Sequence, residues 1–157
     1  MDILLECGAG IAAVVLAVKY SKPAGPKKGT LFVLAKSAEG LKCVDSAGLF
    51  GGNAVSSDPY LIVRCSGEET RTKAVEKNVN PKWDETVKLK VDESQGDVSV
   101  VDLIVMDQNL IATESELGHM KIDLYSLSEM PRTFGGALKD GAGGKLTVDM
   151  WFVPDSE

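Results

Sequence analysis

The chain carries a single histidine, His119, and that scarcity removes most routes to a catalytic site that uses imidazole as a general base or as partner to a nucleophile. Cysteine is scarce too. Cys7, Cys43 and Cys65 are odd in number and widely spaced, and they match neither a metal-ligand nor a paired-disulfide pattern, so they read as reduced thiols in a reducing compartment. Basic residues are not in excess. With 17 Lys and Arg against 23 Asp and Glu the net charge is −6, which argues against nucleic acid as a partner and against long-range attraction to an anionic membrane. Any lipid contact must therefore be local. No glycine-rich phosphate loop and no nucleophile elbow occurs, and the chain is expected not to be an enzyme. What remains is 157 residues at 44% hydrophobic, enough for one domain around one core and tight for two.

The apolar content is uneven. Ile3 to Val18 reads ILLECGAGIAAVVLAV, apolar or small at every position except Glu6 and free of proline, and helix is the expected state. At about 1.5 Å per residue it reaches about 24 Å, short of the ~30 Å hydrocarbon core unless Lys19, Tyr20 and Lys22 extend it to the interface. Residues 1–19 are thus read as one N-terminal α-helix, either a membrane anchor that can span or a helix docked on protein. A cleaved secretory leader is disfavoured by Asp2 and Glu6, and a mitochondrial presequence by the absence of arginine. Acid before the segment and Lys19, Lys22, Lys27 and Lys28 after it place the remaining chain on the cytosol-like side. The small-residue spacing at Gly8/Ala12 and Ala9/Ala13 suits close helix packing in lipid. Residues 20–29, rich in Pro, Gly and Lys, form a linker.

From Thr30 the pattern changes to short apolar runs separated by turn residues: TLFVLAKS, PYLIVRC, ETRTKAV, WDETVKLKV, VVDLIVMD, LGHMKIDL and KLTVDMWFV, with an eighth run near Arg132 to Lys139. Alternation places Trp83, Glu85, Val87, Leu89 and Val91 on one face, and Leu146, Val148, Met150 and Phe152 on another. Antiparallel strands with one buried side require this. The rhythm predicts an all-β, eight-stranded antiparallel sandwich. Trp83 is assigned to the core.

In order along residues 30–153, the A-x-x-L tail of the opening run, Ser57-Asp-Pro-Tyr60, Asn80-Pro-Lys-Trp-Asp-Glu85, VMDQN and LGHMKIDL resemble the C2 domain family. Residues 154–157 are a tail. Because the chain opens on the strand that comes second in one circular arrangement of the family, and ends on a strand that can take the leftover slot, it resembles the type II order.

The resemblance implies calcium as the candidate cofactor, held by loops at one end through Asp45, Asp58, Asp107, Asn109 and Ser115, with Glu114 beside the last. Asn109 and Ser115 are neutral where the family has acid, and the first loop is long, so weak affinity is expected. The other reading keeps Asp45, Asp58 and Asp107 as turn residues of a domain without metal. Leu49 and Phe50 in the first loop, and Leu110 and Ile111 in the third, are apolar tips suited to membrane or partner contact. The resemblance also offers Arg71, Lys73, Lys88 and Lys90 as the basic patch that some family members use for phosphoinositide headgroups, but Glu69, Glu76 and Glu85 dilute it, and a solvated charged face is the preferred reading. Two functions follow from these readings. One is a membrane-tethered, non-enzymatic scaffold or accessory subunit bound to other proteins. The other is a calcium-dependent phospholipid-binding module in trafficking or signalling.

Overall fold

The computed structural model describes residues 28–42, 57–108, 114–141 and 143–156. The anchor or docking helix assigned to residues 1–19 and most of the linker lie outside the described residues. Among those described, no helix is long and apolar enough to cross a membrane.

Eight strands follow one another: β1 (Lys28–Glu39), β2 (Pro59–Cys65), β3 (Glu68–Arg71), β4 (Lys82–Asp92), β5 (Val100–Asp107), β6 (Ser115–Asp123), β7 (Arg132–Ala137) and β8 (Lys145–Pro154). They form two antiparallel sheets of four, ordered β4-β1-β8-β7 and β3-β2-β5-β6. The closing strand β8 lies between β1 and β7. Alternation drives this pairing. Leu31, Val33 and Ala35 of β1, Val87, Leu89 and Val91 of β4, and Leu146, Val148, Met150 and Phe152 of β8 turn inward against Leu61, Val63, Val101, Leu103 and Val105 of the other sheet. Each fully buried aliphatic side chain contributes about 1.5–3 kcal/mol relative to exposure.

Three boundaries differ from the composition-based reading. Lys28 and Gly29 belong to β1 rather than to the linker, since Lys28 pairs with Asp92 both in register and through a 3.2 Å ion pair. Gly29 runs so close to β8 that a Cβ there would sit 2.3 Å from the Val153 carbonyl oxygen. The run ETRTKAV is strand only over Glu68–Arg71. Beyond it Thr72 turns its hydroxyl inward to accept from the Leu61 N–H at 3.0 Å, while its own N–H donates to the Leu61 carbonyl at 2.9 Å. Pro154, placed in the tail, closes β8 opposite Gly29.

Candidate functional site at the loop end of the sandwich

The antiparallel order brings the β1–β2, β3–β4, β5–β6 and β7–β8 connections to one end. Asp58 is the centre of the lacing there. Pro59 fixes the entry into β2 directly opposite Asp107, the last residue of β5. The Asp58 N–H donates to Asp107 Oδ1 at 2.7 Å, the Gln108 N–H donates to the Asp58 carbonyl at 3.0 Å, and the Lys77 N–H donates to Asp58 Oδ1 at 2.7 Å. Three connections are thereby tied to one aspartate. Asp107 is 4% exposed and faces Ser115 across the β5–β6 pair.

Ser57, fully buried, secures the feet of the first loop: its hydroxyl donates to the Lys42 carbonyl at 3.1 Å and its carbonyl accepts from the Asn78 N–H at 2.9 Å. Trp83 is core, as assigned from the sequence, and its indole N–H donates to the Pro59 carbonyl at 2.9 Å. Of the residues proposed for calcium, the structure brings together Asp58, Asp107 and Ser115. Asp45 and Asn109 lie outside the described residues, as do Leu49, Phe50, Leu110 and Ile111. Among the described residues no three His, Cys, Asp or Glu side chains group to hold a metal.

Beside this lacing runs an open groove of about 500 Å³, lined by Tyr60, Arg71, Thr72, Lys73, Ala74, Glu85 and Gln108. The Tyr60 hydroxyl donates to Glu114 Oε2 at 2.7 Å, across 54 residues of sequence, and the Arg71 guanidinium stands 5.7 Å over the Tyr60 ring. Burial first, and then the bond to the Glu114 carboxylate and its charge, push the Tyr60 phenol up to about 12. Glu85 Oε2 accepts the Lys73 N–H at 2.9 Å.

The expected basic patch is divided. Arg71 and Lys73 line the groove, whereas Lys88 and Lys90 stand on the outer face of the other sheet, opposite Phe32 and Thr30, with Lys90 ion-paired to Asp155 at 3.0 Å. Glu69, counted among the diluting acids, pairs instead with Arg64 at 2.6 Å. Sequence reasoning misses the Tyr60–Glu114 contact. Its only trace in the sequence is a tyrosine within PYLIVRC, a run otherwise apolar up to Arg64, which asks for a hydroxyl partner.

Two packed four-stranded antiparallel sheets, with Asp58 and Asp107 from separate loops laced at one end beside a groove walled by Arg71 and Lys73, define a small β-sandwich domain. The chain belongs to the C2 domain family, whose profile matches residues 29–135. It is similar to Protein C2-DOMAIN ABA-RELATED 3 of Arabidopsis thaliana, 33% identical over 86 residues, covering 55% of this chain and 49% of the relative. It also resembles Extended synaptotagmin-2-A of Xenopus laevis, 31% identical over 134 residues, covering 82% of this chain and 15% of the relative. The chain thus spans half or less of these relatives. Among solved structures, a C2 domain of a plant extended synaptotagmin 1 superposes with a TM-score of 0.66 at 26% identity, covering 83% of this chain and 98% of that one. A calcium-bound pair of C2 domains from extended synaptotagmin 2 also reaches a TM-score of 0.66 at 26% identity, covering 82% of this chain and 46% of that one.

Proposed function

We propose that this protein is a non-enzymatic C2 module that binds the headgroups of anionic phospholipids through the loop end of its sandwich. The observation that carries the reading is the lacing of Asp58 to Asp107 beside a groove walled by Arg71 and Lys73. Two oriented carboxylates suit a hard cation, and the guanidinium and ammonium side chains suit phosphate oxygens. The calcium in the extended synaptotagmin 2 structure supports calcium as the ion, with Asp58 and Asp107 as its ligands here. The ion would supply positive charge between the protein and the lipid phosphates. The neutral Asn109 and Ser115 make that contribution weak, so the groove carries part of the binding without metal.

Sedimentation of the full chain with vesicles of phosphatidylcholine and phosphatidylserine tests the reading. The expected result is pelleting that rises with calcium. Asp107→Asn, which keeps an oxygen acceptor for the Asp58 N–H, should remove the calcium response, and Arg71→Gln with Lys73→Gln should weaken the part that needs no ion. Absence of pelleting with and without calcium refutes the proposal. The accessory-subunit reading, supported by the small-residue spacing at Gly8/Ala12 in the N-terminal segment, would then stand in its place.

A further inference from the structure

The outer face of the β4-β1-β8-β7 sheet carries an aromatic pair that the core does not use. Phe32 and Trp151 are direct cross-strand partners, both half-buried, with ring centroids 5.2 Å apart and planes within 3° of parallel. On the same face the next pair is Thr30 and Val153, the latter 39% exposed, and the pair before it adds Leu34. These rows continue into β4, where Lys88 lies opposite Phe32 and Lys90 opposite Thr30. Lys28 and Lys36 lie on this face as well. Lys28, Lys36 and Lys90 are paired, with Asp92, Asp149 and Asp155 in turn. In a chain of net charge −6, Lys88 is an ammonium without an ion-pair partner among the described residues, next to two stacked rings. That combination suits a phospholipid interface, with indole and phenyl rings at headgroup depth and lysine stems carrying ammonium groups to phosphate.

The order of the chain favours lipid as the occupant. Lys28 opens β1 on this very sheet, and before it come nine residues, 19–27, then the apolar run Ile3–Val18. Nine extended residues reach at most about 30 Å. The loop end of the sandwich lies a twelve-residue strand away from Lys28, about 40 Å at the usual rise. A chain held in lipid by its apolar run keeps the aromatic face within reach of the same surface, and brings the loop end to that surface only when the sandwich lies on its side.

Resting on the membrane reading above, we propose that the domain lies side-on against an anionic phospholipid surface through Phe32, Trp151, Val153, Lys88 and Lys90. Trp151 and the core Trp83 are the two tryptophans of the chain, so fluorescence can report the contact directly. The probe is the full chain with vesicles of equal phosphatidylcholine and phosphatidylserine, bromine-labelled on the acyl chains. The wild type and a Trp83→Phe variant should both lose emission on binding, and Trp151→Phe should abolish the loss. Lys88→Gln should reduce vesicle partition about fivefold at low salt. Pelleting with no Trp151 quenching overturns the side-on orientation and leaves the membrane reading intact. Shielding of Trp151 from acrylamide without vesicles, together with no bromine quenching, marks a protein contact on this face and overturns the lipid assignment. Absence of pelleting overturns both.

Discussion

Replacing Tyr60 with phenylalanine removes one hydroxyl from the wall of the groove and keeps the ring that Arg71 covers. The lost bond to Glu114 is charge-assisted, but Glu114 is exposed and its carboxylate recovers water, so the cost at neutral pH is about 1 kcal/mol. The pH dependence is more diagnostic. The Tyr60 phenol is raised from 10.0 to about 12 in the folded protein, so the neutral phenol is favoured by folding. Its contribution is fully present below pH 10 and is lost as pH rises through 12. Two units correspond to at most about 2.7 kcal/mol. Stability from urea denaturation, measured in steps above pH 8, should therefore fall more steeply for the wild type than for Tyr60→Phe, and the advantage of the wild type should vanish in the window between pH 10 and 12. The phenolate absorbance that Tyr60→Phe removes should develop near pH 12 in the wild type. Parallel stability curves, or a Tyr60 phenolate that develops near pH 10, would refute the buried hydrogen bond to Glu114.

Two further outcomes follow from packing. Gly141→Ala would drive a Cβ to 1.8 Å from the Leu117 carbonyl oxygen and should cost about 1–3 kcal/mol or more, whereas Gly67→Ala meets open space and pays only for its φ of +77°, about 1 kcal/mol; equal shifts in denaturation midpoint would contradict the close approach of the β7–β8 loop to β6. Burial, with Asp97 and Asp102 nearby, pushes the Cys65 thiol up to about 11, so alkylation followed by peptide mapping should leave Cys65 unmodified in folded protein at neutral pH and label it in denaturant.

Much of the fold is legible in residue alternation, because in β4 and β8 the inward positions are also the apolar ones. Asp84 shows the limit. It adopts a positive φ of 46° where the β1–β4 register shifts between Ala35 and Ser37, so Glu85 reaches the groove and Lys73 although alternation alone assigns it to the buried row. Composition misassigns Lys28 and Gly29, since a strand edge and a linker both tolerate lysine and glycine. At the site, Asp58 and Asp107 are legible through their motifs. Their mutual hydrogen bond, like that between Tyr60 and Glu114, depends on strand register across about fifty residues, which no local pattern encodes. The division of the four basic residues between two faces has the same origin: β3 and β4 are consecutive in sequence but belong to different sheets. The Phe32–Trp151 stack also escapes a linear reading, because the two rings become neighbours only when the last strand pairs with the first.

The bond from Ser57 to Lys42 has a consequence for how this protein can change. With both feet of the first loop stitched to each other, and Leu41 and Ser57 separately bonded to Val79 and Asn78, the ends of β1 and β2 are held by bonds among the feet themselves. Lengthening the span between the feet adds only about 0.6 kcal/mol per doubling. A foreign peptide inserted between the feet should therefore leave the unfolding free energy of the sandwich within about 1 kcal/mol of the parent in denaturant, since the register beneath is fixed by bonds outside the insertion.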